Sequence, residues 1–341
     1  MHNNSSKMLF LSFIIMGSMI SLSSYSWMGV WMGLEINMLA FMPLLSKQHN
    51  KLMNETSIKY FIIQALASSM LMMSIILIQM KMTMYWVMND MMTLMISLSL
   101  MLKIGVAPIH YWLPEVMGET NWMNCLMLMT WQKLAPMTVM SYYIKTNVII
   151  MLMVIMSAII GSLGGLNQSS LRKIMAYSSI NHMGWMISTM MISETLWELY
   201  FMIYSTLSIL TIMMMNQNKL IWLNQMFNSN NNNNLNKYLI YMSMLSLGGL
   251  PPFLGFVPKW MAIQMMIENK MTFIVIILVM SSMITLYYYL RITLTSIILT
   301  MEMNKWNVKT PQSIKMNSMM SMMTTMSNMM IMMSPMMLFY F

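Results

Sequence analysis

The chain has very little charge. Of its 341 residues, 18 are Lys or Arg and 9 are Asp or Glu, so charged residues make up 8%, whereas a soluble globular domain carries about 25%. Apolar residues make up 58% and recur in stretches of about 20, the length of a helix that crosses roughly 30 Å of hydrocarbon. Because such long continuous stretches exclude a transmembrane barrel, the sequence predicts an all-α polytopic membrane protein.

Cysteine and the usual metal ligands are scarce. Cys125 stands alone and cannot form an internal disulfide. The four His and nine acidic residues lie at no spacing typical of a zinc, haem or iron-sulfur site, and no Gly-rich phosphate loop follows a strand. We therefore expect this chain to bind no cofactor and no metal.

Methionine is abundant, with 61 residues. Met is apolar and flexible and replaces Leu or Ile in a membrane helix at little cost. An A+T-rich genome whose code reads AUA as Met explains this excess, and that code is mitochondrial. A metal-binding Met cluster is the alternative interpretation.

Apolar runs and the residues that interrupt them predict eleven membrane spans. They cover residues 6–24, 26–46, 57–80, 87–116, 121–143, 147–167, 172–193, 195–216, 237–267, 271–297 and 319–340. The first span has no small-residue cleavage site, so it is predicted to be a helix and not a removable signal.

Lys and Arg are unevenly distributed between alternate loops. Twelve fall on the amino-terminal side: Lys7, Lys47, Lys51, Lys59, Arg172, Lys173, Lys219, Lys237, Arg291, Lys305, Lys309 and Lys315. Three fall on the other side: Lys81, Lys145 and Lys270. This asymmetry predicts an amino terminus inside and a carboxy terminus outside. It also accounts for most of the net charge of +9, so nucleic-acid binding is not expected.

Two spans are long and contain Gly and Pro. They are the fourth, with Lys103–Glu115, and the ninth, with Leu245–Trp260. Freed backbone at membrane depth survives only where protein or a water-filled cavity surrounds it, so both are predicted to be broken helices that mark an ion pathway. The odd offset of five spans predicts inverted repeats at about 6–143 and 147–297, with 319–340 as an added helix. The predicted break residues are Gly105, Pro108, Gly248, Gly249, Pro251, Pro252 and Pro258.

Four charged residues lie deep in the spans. Glu35 and Lys133 are roughly 14 and 18 Å from the ends of their helices, and Lys103 and Lys259 adjoin the breaks. Glu35 and one lysine could form a neutralising pair, but three deep lysines face a single deep acid. Since burial disfavours the charged form of an amine, such lysines can release and regain protons. We therefore predict a proton relay.

Two histidines extend this hypothesis. His110 follows the first break, and His182 lies in the middle of the seventh span. Histidine is the side chain that titrates closest to physiological pH, so both are candidate relay groups. A hydrogen bond from His182 to a neighbouring helix is the alternative.

Five segments carry a family resemblance. They are Trp31–Leu39, Lys103–Trp112, Met129–Pro136, Leu171–Trp185 and Gly248–Trp260. In this order they resemble the second-chain family of mitochondrial NADH:ubiquinone oxidoreductase (respiratory complex I), as insects encode it. The resemblance implies one antiporter-like membrane domain over residues 1–341, in a subunit without redox centres.

The resemblance also implies roles and partners. Glu35 and Lys103 would be the modulating pair, Lys133 the central relay and Lys259 the outlet-side lysine, with His110 and His182 on the same polar axis. NADH, FMN, iron-sulfur clusters and ubiquinone would bind other subunits. The implied partners are neighbouring antiporter-like and small membrane-arm subunits and phospholipids, including cardiolipin. The implied location is the mitochondrial inner membrane, with the amino terminus in the matrix and the carboxy terminus in the intermembrane space.

Two other functions remain open at this point. A stand-alone, multi-subunit cation/proton antiporter would share the inverted repeats and the buried lysines. A purely structural membrane scaffold would use the charges only to hold helices together, and neutralising both Glu35 and Lys103 would then leave transport intact.

Overall fold

The computed structural model describes residues 2–46, 50–79, 87–144, 147–228 and 234–301. Within these ranges the chain forms fourteen α-helices. They are α1 (His2–Ser23), α2 (Trp27–Leu45), α3 (Lys51–Gln79), α4 (Val87–Ile104), α5 (Trp112–Glu119), α6 (Trp122–Met129), α7 (Trp131–Ser141), α8 (Val148–Gly165), α9 (Leu171–Met190), α10 (Glu194–Gln217), α11 (Leu223–Asn228), α12 (Asn234–Gly248), α13 (Phe256–Glu268) and α14 (Thr272–Met301).

The helices follow the predicted spans closely. Six of them are long and apolar enough to cross a membrane alone: α1, α2, α3, α8, α10 and α14. The fourth, fifth and ninth predicted spans are each two consecutive helices, namely α4 with α5, α6 with α7, and α12 with α13. The prediction of an all-α polytopic membrane protein is confirmed, and the eleventh predicted span, 319–340, lies outside the described residues.

One boundary differs clearly from the prediction. Helix α3 begins at Lys51, whereas the third span was predicted to begin at residue 57. The prediction counted only apolar residues, but a membrane helix continues into the polar interface because its backbone hydrogen bonds do not depend on the solvent. The polar residues before the apolar run therefore extend the helix without extending the span.

The chain divides into two compact units between Met153 and Val154. Unit 1 contains α1 to α7, and unit 2 begins within α8. The description of the two halves as inverted repeats stays a prediction.

In unit 1, α1 and α2 pack with their backbones in close contact. A Cβ atom on Gly33 would lie 2.5 Å from the backbone nitrogen of Ser21 and 2.7 Å from the carbonyl oxygen of Gly17. Small residues permit such an approach between membrane helices, where van der Waals packing drives association. The two glycines are therefore what allows α1 to lie against α2.

In unit 2, α9 is the central helix. Every residue from 178 to 190 is buried, and α10, α13 and α14 all pack against this helix. Gly161 of α8 lies against the backbone of Asn181, where a Cβ would come within 2.5 Å of the Asn181 nitrogen. The polar residues between 178 and 190, including His182, are therefore enclosed by protein and do not face lipid.

The Gly33 contact predicts a specific packing defect. Gly33→Ala should destabilise the protein by about 1–3 kcal/mol, the usual cost of overpacking, because the nearest atoms are backbone and cannot turn aside. SDS-induced unfolding of the detergent-solubilised protein measures the change. Met32→Ala is the control, since Met32 is exposed on the same helix. Equal shifts for the two variants would contradict the close packing of α1 and α2.

Candidate functional site

The break between α4 and α5 follows directly after Lys103. Helix α4 ends at Ile104, and Gly105 has φ +84°, a left-handed conformation that favours glycine. The Gly105 nitrogen donates to the Met101 carbonyl at 3.0 Å, which closes the end of the helix. Pro108 lies in the segment before α5. Lys103 is therefore held in the last turn of a helix that stops inside the unit.

The break frees the Lys103 carbonyl, which has a partner on another helix. In a continuous helix it would accept a hydrogen bond from the residue four positions later. Here the Gln64 side chain of α3 donates to it from Nε2 at 3.0 Å. Both residues are buried, at 5% exposure for Gln64 and 8% for Lys103. Gln64 thus satisfies a polar group that the break would otherwise leave unpaired.

His110 lies in the same interrupted segment. The residue is 2% exposed, and its Nδ1 is 3.1 Å from the Pro108 carbonyl oxygen. The ring packs against Tyr111 with centroids 4.3 Å apart. His110 is therefore held by the backbone of the break itself.

The fifth predicted span is interrupted at Thr130. This residue lies between α6 and α7 with φ −114° and ψ −75°, and the Lys133 nitrogen donates to its carbonyl at 3.2 Å. Pro136 cannot donate to the Gln132 carbonyl, but it lies within α7 and does not interrupt that helix. The interruption places Lys133 in the first turn of a new helix.

Lys103 and Lys133 line the same cavity in unit 1. Its volume is about 20 Å³, enough for about one or two water molecules. Lys133 is 1% exposed, so it reaches the cavity and not the surface. The cavity is lined by Leu34, Asn37, Met38, Tyr60, Gln64, Lys103, Ile104, Trp112, Leu128, Gln132, Lys133 and Pro136.

Glu35 lies beside this cavity and not in its wall. Its neighbour Leu34 is part of the lining, while Glu35 itself is half-buried. Lys103 makes no ion pair within 4.0 Å with a carboxylate of the described residues, although Glu35 is close enough to act on it electrostatically. The two residues are therefore electrostatically coupled without a direct salt bridge.

A second interrupted helix lies in unit 2. Helix α12 ends at Gly248, and the next residue, Gly249, has φ +82°. Pro251 and Pro252 lie in the segment before α13. Pro258, predicted to be part of the break, instead lies in the first turn of α13, where a missing N–H costs no hydrogen bond.

Lys259 joins the two halves of this helix. It belongs to α13, and its Nζ donates to the Gly248 carbonyl at the end of α12 at 2.8 Å. The side chain is 5% exposed and passes directly over Gly249, where a Cβ would lie 2.9 Å from Nζ. A cation at a helix carboxyl end is favourable, so the lysine stabilises the break as well as adjoining it.

His182 makes a hydrogen bond to a neighbouring helix. Its Nδ1 is 3.0 Å from the Tyr200 hydroxyl of α10, and its ring lies 5.0 Å from that of Tyr204. The bond is the alternative role that the sequence left open for this residue. A relay function for His182 stays a prediction, and it is compatible with a hydroxyl partner that can both donate and accept.

The structure therefore groups some of the predicted residues and adds others. Lys103 and Lys133 share one cavity, and His182 and Lys259 both belong to unit 2. Sequence reasoning missed the polar groups around them. They are Asn37, Tyr60, Gln64 and Tyr200. An amide in the middle of an otherwise apolar run was the available signal for Asn37 and Gln64.

The Gly249 contact predicts different effects for two neighbouring glycines. Gly249→Ala should cost about 1–3 kcal/mol, because alanine disfavours a positive φ and its Cβ would crowd Lys259. Gly248→Ala should cost less, since its Cβ would meet Tyr289 at an ordinary 3.5 Å. SDS-induced unfolding compares them, and a larger effect at Gly248 would overturn the described geometry of the break.

The chain is similar to known proteins over most of its length. Residues 24–285 match the family model for the transmembrane region of NADH:quinone oxidoreductases and Mrp antiporters. The chain is 52% identical to NADH-ubiquinone oxidoreductase chain 2 of Locusta migratoria, over 94% of this chain and 92% of that one. It is 47% identical to the Anopheles gambiae chain 2, over 91% of each.

Solved structures share the fold. A chain of respiratory complex I from Thermus thermophilus has a TM-score of 0.82 at 20% identity, covering 96% of this chain and 78% of that one. A chain of the Mrp complex from a Dietzia species has a TM-score of 0.76 at 18% identity, covering 83% and 59%. By sequence and by family model, this multi-pass membrane protein belongs to the NADH-ubiquinone oxidoreductase chain 2 family.

Proposed function

We propose that the chain is a core membrane-arm subunit of the proton-pumping NADH:ubiquinone oxidoreductase and relays protons through its buried charged axis. The single observation that carries the proposal is that Lys103 and Lys133 face one cavity large enough for water. The proposed relay groups are Glu35, Lys103, His110, Lys133, His182 and Lys259.

Two amines that face one small cavity favour proton exchange. Two ammonium groups repel each other, which disfavours the state in which both are charged. The cavity has room for about one or two water molecules, and water can accept a proton from one group and donate one to the other. Lys103 and Lys133 thus have the arrangement that a relay between α4 and α7 needs.

Glu35 is the group through which this relay responds to the rest of the enzyme. It is half-buried beside the cavity, within electrostatic range of Lys103. Quinone reduction in other subunits would displace charge towards or away from Glu35. Loss of the carboxylate's influence would make Lys103 release its proton more readily, and the proton would pass to Lys133 and then towards Lys259.

The lysine and histidine of unit 2 provide the later positions. Lys259 donates to a carbonyl at a helix break, and His182 contacts a tyrosine hydroxyl. Each proton must be moved against roughly 2.3 kcal/mol for every 100 mV of membrane potential.

We place the chain in the mitochondrial inner membrane, with its amino terminus in the matrix and its carboxy terminus in the intermembrane space.

The chemistry of electron transfer belongs to other subunits in this proposal. NADH, FMN, the iron-sulfur clusters and ubiquinone would bind elsewhere in the complex, and this chain would bind neither cofactor nor metal. Its partners would be neighbouring antiporter-like and small membrane-arm subunits. Phospholipids, including cardiolipin, would contact the cations of the matrix side.

A multi-subunit cation/proton antiporter is the second candidate, because the family model and the fold are shared with Mrp proteins. The identity of 52% to an NADH-ubiquinone oxidoreductase chain favours the first proposal. Transport driven by a sodium gradient, in vesicles that contain this chain without an NADH-oxidising complex, would favour the second.

Replacing Lys133 tests the relay. In the assembled complex reconstituted into vesicles, Lys133→Ala should abolish proton pumping, or the quinone reduction coupled to it, because the cavity then contains only one amine. A pH-sensitive dye inside the vesicles and the rate of NADH oxidation measure the two activities.

Lys51→Ala is the matched control for this experiment. Lys51 is an exposed lysine at the start of α3, so its loss should leave both activities unchanged. Full coupled turnover in the Lys133→Ala complex would refute the relay.

A further inference from the structure

Two amide side chains lie together in the wall of the cavity that Lys103 and Lys133 share. The Gln132 side chain of α7 donates from Nε2 to Oδ1 of Asn37 on α2 at 2.9 Å. Asn37 is 3% exposed, and both residues line the cavity. This bond therefore joins two helices at the surface of the proposed water site.

Proton exchange between the lysines needs an acceptor for each proton that is released. An ammonium group has three donors and no acceptor, so a proton that leaves Lys103 can pass only to a group with a free lone pair, such as a water molecule. The cavity is large enough for about one or two water molecules. A water molecule held in a constant orientation between the amines meets this need.

The amide pair has the groups that orient water. Asparagine and glutamine each offer two N–H donors and a carbonyl oxygen with two lone pairs. The bond from Gln132 to Asn37 leaves Nδ2 of Asn37 as a donor and Oε1 of Gln132 as an acceptor. Gln64, the third amide of the cavity wall, already donates to the Lys103 carbonyl.

The positions of these amides connect them to the groups of the relay. Asn37 follows Glu35 by two residues on α2, and Gln132 directly precedes Lys133 on α7. A shift of α2 that accompanies a change at Glu35 would therefore move the bond to Gln132, the residue next to Lys133. Amides do not titrate near neutral pH, so they can orient a water molecule but do not carry the proton themselves.

We propose that Asn37 and Gln132 are positioning residues that orient water between Lys103 and Lys133. The inference rests on the proposed function, since it assumes that these lysines exchange protons. The competing interpretation is an ordinary hydrogen bond between membrane helices, which contributes to stability alone.

The experiment uses the assembled complex with Gln132→Met or Asn37→Leu. Each change keeps a similar side-chain volume, and methionine already occupies 61 positions in the chain. We expect proton pumping to fall by about 10- to 100-fold, the scale of effect when a reacting group is misplaced by about 1 Å. The ratio of the pumping rate in H₂O to the pumping rate in D₂O should rise, because proton transfer then limits turnover.

Asn124→Leu is the matched control. Asn124 of α6 also makes an interhelical hydrogen bond to α2, from Nδ2 to the Leu44 carbonyl at 2.8 Å, but it does not line the cavity. Its loss should lower stability to a similar extent and leave the isotope ratio unchanged. If Gln132→Met, Asn37→Leu and Asn124→Leu all lower stability but leave the pumping rate and the isotope ratio unchanged, the Asn37–Gln132 bond is structural and the inference is refuted.

The double variant Asn37→Gln with Gln132→Asn keeps the inference falsifiable if a single variant does not assemble. It exchanges the long and the short amide across the same gap and should retain at least half of the pumping rate. If Gln132→Met and Asn37→Leu assemble, the inference is overturned when the double variant pumps as slowly as they do. If they do not assemble, it is overturned when the double variant hardly pumps at all. Lys133→Ala distinguishes failure of the proposed function from failure of the positioning role. If the Lys133→Ala complex still pumps protons, the proposed function is wrong. If Lys133→Ala abolishes pumping but Gln132→Met does not, only the positioning role is wrong.

Discussion

Hydrocarbon forms no hydrogen bonds, and this constraint bears on the helix interruptions that the structure describes. A backbone group freed at membrane depth must find a partner inside the protein. Two of the interruptions show how this is achieved, because Gln64 donates to the carbonyl of Lys103 and Lys259 donates to the carbonyl of Gly248. The same polar side chains that make the breaks possible therefore bring hydrogen-bonding capacity into the interior.

The constraint also explains why the candidate site and the helix breaks coincide. A lysine within lipid costs about 2.5–3.5 kcal/mol even on the insertion scale, so it is placed where other polar groups already lie. In unit 1 the result is a small cavity whose lining residues include two lysines, three amide residues and a tyrosine. In unit 2 the corresponding features are a lysine at a break and a histidine on a helix enclosed by others. Packing and proposed function thus depend on the same residues.

Much of the fold was accessible from sequence, and some of the site was not. The lengths of the apolar runs predicted the spans because the bilayer sets the length of a helix, and Gly105, Pro108 and Gly249 marked two interruptions because their backbone requirements are local. The sequence did not predict the interruption at Thr130, because threonine, unlike glycine or proline, has no backbone requirement that marks a helix break. Pro258 was assigned to a break although it lies in a first turn, where proline is tolerated.

By itself, the sequence determined the class of protein, the approximate spans and the presence of deep charges, because composition and local backbone preference do not depend on distant contacts. Only the tertiary structure decided which of these charged residues lie near one another. That Lys103 and Lys133 share a cavity, that Glu35 lies beside it, and that Asn37 bonds to Gln132 all depend on how α2, α4 and α7 are rotated and packed. Helix rotation follows from contacts between residues far apart in the chain, such as Gly17 with Gly33, and no local pattern specifies it.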